Sequence, residues 1–184
     1  MYNSAKAAQI IAYLALKTEA RAINVLKAIK LVYISDREAL KRFAMPMLDE
    51  PRASLPHGPV NSWTYDNAKG EVEDANWSTI LDDRANHMIG VKADIGVDDL
   101  DELSDAEVEV LDSVWEEFGG MTQWQLRDWT HKSDNIPEWE DPNGSSNPIP
   151  LERLLHAVGI ENTAEHAQFL RDQASMTKLL AELA

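Results

Sequence analysis

The sequence of 184 residues contains no cysteine. This absence excludes disulfide bonds, zinc and iron–sulfur sites with thiolate ligands, and cysteine nucleophiles. The sequence also lacks any apolar run that approaches the ~20 residues needed for a membrane-spanning helix. We therefore expect a cytoplasmic protein without a membrane partner.

The N-terminal segment shares one feature with a signal peptide, because residues 7–16 are mostly apolar and follow Lys6. However, Gln9 interrupts this stretch, charged residues follow it directly, and no small-residue cleavage site ends it. The pattern favours a buried helix over a targeting signal.

Basic residues are scarce, with 17 Lys and Arg against 32 Asp and Glu, so the net charge is −15. An acidic surface repels phosphate backbones and anionic lipids, so nucleic acid is not expected as a partner. The charge is uneven: residues 1–47 hold eight basic and three acidic side chains, and residues 48–184 hold nine and 29. Because the basic residues alternate with apolar ones, we expect two mutually attracting faces of one domain rather than a nucleic-acid-binding arm.

The hydrophobic pattern predicts a mainly α (α+β) fold, a compact multi-helix domain with a small β-hairpin around residues 77–93. Ser4 is a suitable cap for a first helix. A second helix, over about 19–34, is apolar on most sides and is therefore expected at the centre of the domain. A short third helix is expected to run from Ser35 or Asp36 to Phe43. Alternation at Trp77, Thr79 and Leu81, then a turn, predicts the hairpin.

The second half of the chain carries clear helix boundaries. Ser104 and Glu107 form the sequence pattern of a capping box, and Gly119-Gly120 follows the helix that it opens. Thr122 is expected to cap the next helix. After a loop over 134–150, two further helices are predicted, one from Pro150 to Gly159 and one from Thr163 to about Leu183.

The region 104–131 has the helix–turn–helix proportions of some DNA readers. Between residues 104 and 139, however, there are nine acidic residues and only two basic ones, Arg127 and Lys132. A helix with this charge would enter a DNA groove against strong repulsion. The segment is therefore predicted to be a packing motif, and a DNA-binding repressor is the weaker alternative.

No familiar catalytic motif is present, whether a glycine-rich phosphate loop, a nucleophile elbow or a paired-histidine zinc motif. Five scattered histidines remain, namely His57, His87, His131, His156 and His166. Each is expected to make a structural hydrogen bond. We predict no catalytic residue, no metal and no cofactor, and keep as an alternative an enzyme or metal protein that uses His57 and His131 with nearby acids.

Six tryptophans are many for this length. Trp115 lies on an apolar helical stripe and is expected in the core. Trp63 and Trp139 lie in loops, where a tryptophan is either a loop anchor or an interface hot spot; we favour the anchor. The last helix carries several leucines and could dock on a partner, although closing this domain's own core is the preferred interpretation.

Three motifs follow one another along the chain. Residues 30–38 read Lys-Leu-Val-Tyr-Ile-Ser-Asp-Arg-Glu, and Arg42-Phe43 and Pro46 come after them. Residues 55–60 read Leu-Pro-His-Gly-Pro-Val and precede Tyr65-Asp66. The third motif starts at Leu103-Ser104, includes Glu107, Leu111, Phe118-Gly119 and Leu126, and ends at Thr130-His131.

Together these motifs resemble the Panacea domain of SocA-like antitoxins and phage-associated GepA-like proteins, over roughly residues 5–140. The first motif departs mildly, since Val-Tyr-Ile-Ser-Asp stands where the family has Leu-Tyr-Leu-Ala-Asp. The resemblance implies the antitoxin of a toxin–antitoxin system, which neutralises a cognate protein toxin by direct contact. One relative instead delivers its toxin to the ClpXP protease, so ClpXP is a second partner to consider.

The resemblance also suggests a division of the chain. Residues 1–140 are predicted to form the Panacea-like antitoxin domain, and residues 141–184 a C-terminal helical extension packed on the same domain. The extension is not covered by the three motifs, so it is either a determinant of partner choice or family-variable packing.

The candidate functional residues come from the same motifs and from the aromatic residues near them. The partner-binding or motif residues are His57, Gly58, Pro59, Trp63, Tyr65, Trp129 and His131. The residues with a structural role are Tyr33, Asp36, Arg37, Ser104 and Glu107. His131 is expected to hydrogen-bond the loop at His57–Pro59 and to pin it to the pair of helices.

Overall fold

Eight α-helices and five short β-strands form the regular structure of residues 2–83 and 85–183, the part of the chain that this computed structural model describes. The helices are α1 (Ser4–Leu16), α2 (Val25–Phe43), α3 (Ser62–Lys69), α4 (Ala75–Ile80), α5 (Asp105–Phe118), α6 (Gln123–Thr130), α7 (Leu151–Ala157) and α8 (Thr163–Leu183). The strands are β1 (Ala22–Asn24), β2 (Arg52–Leu55), β3 (Gly58–Asn61), β4 (Met88–Gly90) and β5 (Asn147–Ile149). This content confirms the mainly α fold class with small β elements. In the described ranges, no helix combines the length and apolarity required to cross a membrane.

Helix α2 is the longest helix of the first half of the chain and is buried on most sides, as the sequence predicts. The side chain of Asn24 caps it by accepting hydrogen bonds from the backbone N–H groups of Leu26 and Lys27. The prediction of two helices, over 19–34 and 35–43, is wrong, because one helix runs without interruption through Asp36 to Phe43. The carboxylate of Asp36 does not cap this helix but accepts a hydrogen bond from the backbone of Leu48.

The predicted hairpin around residues 77–93 is wrong in its first arm. Residues Ala75–Ile80 form helix α4, because Asp74 caps the backbone N–H of Trp77 and the spacing of Trp77 and Ile80 buries both side chains on one helical face. The second arm becomes β4, which pairs antiparallel with β1. An isolated bridge from Leu81 to Val91 still closes the turn between the two arms.

A three-stranded antiparallel sheet has the order β3-β2-β5. Strands β2 and β3 form a tight hairpin in which Leu55 pairs with Gly58 across the turn. The edge strand β5 pairs with β2 and lies inside the segment predicted as a loop over 134–150. The second motif of the sequence therefore forms a hairpin turn that lies against α2 and α6.

Two apolar clusters fill the interior. The larger one involves α1, α2, α4, α5 and Leu126 of α6. The smaller one joins Tyr33 and Leu40 of α2 to Leu154 and Leu155 of α7 and to Leu170 of α8. The C-terminal helices thus pack on α2 through their first part, while the division of the chain at residue 140 stays a prediction.

Ion pairs connect the basic N-terminal part of the chain to the acidic remainder. Lys6 pairs with Glu107, and Lys17 pairs with Asp112, each at 2.6 Å. Both acids lie on α5, which packs against α1. These two ion pairs agree with the expected attraction between the basic and acidic parts of the chain.

Candidate functional site

Helix α2 carries four polar residues of the first motif, three of them buried and one, Arg37, partly buried. Lys30, Tyr33, Asp36 and Arg37 follow one another at intervals of three, three and one residues, which places their side chains along one broad side of the helix. These side chains bind the segment that directly follows α2, the hairpin turn at Pro59 and the distant residue Glu138. The motif therefore works as a set of anchors around the central helix.

Asp36 anchors the chain that follows α2. Its carboxylate accepts hydrogen bonds from Arg52 Nη2 at 2.5 Å and Nε at 2.9 Å, and from the backbone N–H of Leu48 at 3.0 Å. Both charged side chains are buried. Because the carboxylate and the guanidinium neutralise each other and fill their hydrogen-bonding positions, this ion pair is stable inside the protein.

Glu50 extends the same network toward α3. Its carboxylate accepts hydrogen bonds from the backbone N–H and the hydroxyl of Thr64, at 2.9 and 2.6 Å. Burial raises the pKa of the Glu50 carboxyl. The network therefore fixes the start of α3, the helix that carries Trp63 and Tyr65.

Tyr33 and Arg37 both bind Glu138, a residue far along the chain. The Tyr33 hydroxyl and Arg37 Nε each donate to Glu138 Oε1 at 2.8 Å. Burial and the neighbouring Glu138 carboxylate hold the pKa of Tyr33 well above its ordinary value. The sequence does not single out Glu50, Arg52 and Glu138, because a lone charged residue carries no local signal that it is buried.

The hairpin turn of the second motif requires a glycine. Gly58 has a φ of +94°, and a Cβ at this position would lie 2.6 Å from Oγ1 of Thr130 and 3.1 Å from Nζ of Lys30. Any side chain would therefore meet both backbone strain and a clash. Gly58 lets the turn approach α2 and the end of α6 closely.

His131 fastens this turn to α6. Its Nε2 lies 3.0 Å from the carbonyl oxygen of Pro56, and its Nδ1 lies 2.6 Å from that of Arg127. Trp139 packs edge-on against the His131 ring at 4.4 Å and donates from Nε1 to the carbonyl of Leu55 at 3.2 Å. The expected hydrogen bond from His131 to the loop is confirmed, as is the role of Trp139 as a loop anchor.

Lys30 stands apart from the other motif residues, because its charge meets no carboxylate in the described ranges. Its Nζ donates to the carbonyl of Pro59 at 2.7 Å, and the side chain is fully buried. Burial lowers the pKa of Lys30 to about 7. The lysine is therefore held in surroundings that disfavour its ammonium form.

A cavity of about 580 Å³ opens beside Lys30, and we call it the motif pocket. Its floor is the N-terminal half of α2, including Leu26 and Ile29, and one wall is the hairpin turn at 55–58. Tyr65 and Lys69 of α3 and Trp124 of α6 complete the lining together with His87, Asn24, Val25, Val60 and Gln123. Within the described part of the chain, no Asp or Glu lines it.

The remaining predicted site residues divide between the pocket and the framework. The motif pocket is lined by His57, Gly58 and Tyr65. Pro59 and His131 do not line it but hold the hairpin turn in place, through the hydrogen bond from Lys30 to the Pro59 carbonyl and the contact of His131 with the Pro56 carbonyl. Two tryptophans do not line it: Trp63 packs edge-on against Tyr2 at 5.5 Å, and Trp129 packs in the same way against Phe118 at 4.7 Å.

Ser104 and Glu107 form the predicted capping box at the start of α5. The Glu107 carboxylate accepts hydrogen bonds from the backbone N–H and the hydroxyl of Ser104, at 3.0 and 2.8 Å. Both residues shape the helix that packs against α1 and α2.

The geometry offers little to a metal ion. In the ranges that the structure describes, no group of three or more His, Asp or Glu side chains is arranged to hold one. Both ring nitrogens of His131 face backbone carbonyl oxygens, so this histidine is engaged as a structural residue.

Comparison with known proteins gives one match. The family described as "Antitoxin SocA-like, Panacea domain" matches residues 29–140, more than half of the chain. The match begins within α2, includes the pocket residues from Ile29 to Trp124 but not Asn24, Val25 and Leu26, and ends just after Trp139. Neither the search of curated proteins nor the search of solved structures gives a significant match.

Proposed function

The chain belongs to the antitoxin SocA-like, Panacea domain family, and we propose that it is an antitoxin that neutralises a cognate protein toxin by binding it directly. The family match over residues 29–140 carries this proposal, because it includes all three motifs of the sequence. The proposed setting is a toxin–antitoxin system of prophage origin in the cytoplasm. A role in binding rather than catalysis agrees with the family.

The charge of the chain supports a basic toxin as the partner. A net charge of −15 on a protein of 184 residues creates a negative field that attracts a basic protein and speeds their encounter. Proteins that act on RNA or ribosomes are often basic, so a toxin of this kind suits the surface.

The test uses the product of the neighbouring gene as the candidate toxin. It is expressed alone and together with this chain, and growth and copurification are measured. Toxicity alone, rescue on co-expression and a stable complex are the expected results. A harmless neighbour, or rescue without a complex, would contradict the proposal and favour the alternative of a histidine-based enzyme or metal protein that uses His57 and His131.

Delivery of the toxin to ClpXP is the alternative form of neutralisation. It predicts that toxin levels fall when this chain is present and recover in cells that lack ClpXP. Direct neutralisation instead predicts unchanged toxin levels and rescue in both kinds of cell. Measuring toxin abundance beside growth separates the two mechanisms.

A further inference from the structure

We propose that the motif pocket is the anchor site for the toxin, and that it accepts an apolar side chain of the toxin that lies next to a carboxylate. This inference rests on the proposed function and names the surface and the partner chemistry. It commits to a segment of the toxin as the occupant of the pocket. Three features of the pocket support it, namely its apolar walls, its lack of acids and its buried lysine.

The apolar walls suit a protein anchor. The pocket's volume of about 580 Å³ is in the range of roughly 300–1,000 Å³ in which proteins enclose compact ligands or side chains. Leu26, Ile29 and Val60 supply aliphatic surface, and Trp124 stands at the rim with half of its surface exposed. A tryptophan beside an open apolar cavity is typical of the residues that dominate binding energy in interfaces.

The charge of the pocket differs from that of the rest of the chain. Although 32 of the 184 residues are acidic, none of the described residues that line the pocket is Asp or Glu. The charged or titratable lining groups are Lys30, Lys69, His57, His87 and the Tyr65 phenol. Lys69 lies over the Tyr65 ring and pairs with Glu71, so the charge that lacks a carboxylate partner is that of Lys30.

Lys30 gives the pocket its preference for a carboxylate. Its ammonium group has three donors, and the structure gives one hydrogen bond for them, to Pro59. Gly58 and Lys30 both line the cavity, and a Cβ on Gly58 would lie only 3.1 Å from the Lys30 Nζ, so the glycine leaves the space beside the ammonium free of a side chain. Attraction between opposite charges extends over several ångströms in apolar surroundings, so a toxin carboxylate in the pocket stabilises the ammonium form without entering the core.

The overall field and the pocket then have separate roles. The acidic surface attracts a basic toxin, while the pocket selects the toxin segment that carries an acidic and apolar anchor. Many basic proteins would be attracted, but few would also present such an anchor. This combination of a general attraction and a local requirement is a physical route to specificity.

The experiment compares Leu26→Asp with the nearly isosteric Leu26→Asn in the full-length chain. Leu26 is half-buried at the floor of the pocket and lies in the first turn of α2, where an acidic residue is favourable for the helix. The aspartate would repel the toxin carboxylate, and its own negative charge would stabilise the ammonium of Lys30 in place of the toxin. Leu180→Asp, on an exposed leucine of α8, is the matched control outside the pocket.

The readout is the dissociation constant for the purified neighbouring-gene product, with the melting temperature of each variant. We expect Leu26→Asn to weaken binding about 3- to 10-fold and Leu26→Asp about 30-fold or more, which corresponds to the loss of an interfacial charge contact. Leu180→Asp should bind like the wild type. Should Leu26→Asp fail to fold, Trp124→Glu and Trp124→Gln make the same comparison at the exposed rim.

The outcomes separate this inference from the proposed function. If the wild type does not bind the neighbouring product, the proposed function fails, and the pocket loses its named partner. If the wild type binds and Leu26→Asp binds equally well, only the pocket is overturned. If Leu26→Asp and Leu26→Asn weaken binding equally, the toxin has no carboxylate in the pocket. If only Leu180→Asp weakens binding, the toxin is anchored at α8 instead.

Discussion

The two halves of helix α2 contain buried charges in different states. In the C-terminal half, Asp36 is neutralised by Arg52, and Arg37 is neutralised by Glu138. In the N-terminal half, Lys30 is fully buried but meets only a backbone carbonyl. The paired charges hold the architecture together, whereas the lysine without a carboxylate partner lies beside a cavity. One helix therefore combines a structural half and a half that is suited to recognition.

The difference has an energetic basis. A buried ion pair contributes little net stability, but removing one partner leaves a charge without compensation, at a cost of about 3–5 kcal/mol. Lys30 is already in that uncompensated state within the described chain. Because burial disfavours its charged form, any ligand that supplies a negative charge there gains from compensating it.

Asp36→Asn removes the buried ion pair with Arg52 in the C-terminal half of α2 and should have the largest effect on stability. The substitution keeps the shape of the side chain but leaves Arg52 buried without its main counter-charge, so the free energy of unfolding should fall by about 3–5 kcal/mol. Chemical denaturation measures this loss. Asp128→Asn is the control, because its ion pair with Arg127 is largely exposed and should contribute at most about 1 kcal/mol. Equal effects of the two substitutions would remove the distinction between paired core charges and surface charges.

Gly58→Ala tests the close contact of the hairpin turn with Lys30 of α2 and Thr130 of α6. A side chain at φ +94° is strained and would lie 2.6 Å from the Thr130 hydroxyl, so we expect a loss of about 2–4 kcal/mol. Gly144→Ala is the matched control, since Gly144 has a φ of +84° but nothing within 4 Å of its Cβ position. The difference between the two variants, measured by denaturation, isolates the close approach of the turn. No difference would mean that the turn does not need this contact.

Lys30 makes stability depend on pH. Its pKa is about 7 in the folded chain and near 10.5 in the unfolded chain, so between these values the unfolded state binds more protons and stability rises with pH. At 1.36 kcal/mol per pH unit, the gain from pH 7 to pH 9 is about 2 kcal/mol. Comparing the wild type with Lys30→Met at both pH values isolates this contribution, because the other titrating groups are common to both. A difference that does not change with pH would contradict an uncompensated buried lysine.

His131→Ala should have the smallest of the four effects. It removes the contacts of the ring with the Pro56 and Arg127 carbonyls and with Trp139, so a loss of about 1–2 kcal/mol is expected. The melting temperature should therefore fall while toxin affinity at lower temperature is kept. His156→Ala, at an exposed position of α7, serves as the control. Lost affinity at unchanged stability would instead place His131 in the binding surface.

The helices of this fold could largely be predicted from local signals. The exception is α2, for which the sequence predicts two helices and no cap at Asn24, because Ser35 and Asp36 look like a new cap although they lie inside the helix. The prediction of a strand as the first arm of the hairpin is wrong for a similar reason, since the positions of Trp77 and Ile80 fit either a strand edge or a short helix. Tertiary contacts decide such cases, and a single sequence does not contain them.

The candidate site could be predicted only in part. The second motif and Tyr65 lead to the pocket, because a glycine and two prolines around His57 signal a constrained turn. Leu26, Ile29 and Trp124 have no such signal, since each looks like an ordinary helical residue until α2 and α6 are placed together. The burial of Lys30 is equally invisible, because lysines are almost always exposed.

The most direct test of the division of α2 into a structural and a recognition half is a thermal shift with the neighbouring-gene product. Leu26→Asp is first melted alone to give its own baseline, because Leu26 also packs against the larger apolar cluster. Adding the toxin at a concentration that saturates the wild type should raise the melting temperature of the wild type, because the ligand binds the folded state, and should raise that of Leu26→Asp clearly less. An equal rise in both proteins would show that the toxin binds elsewhere and would contradict the assignment of recognition to the motif pocket.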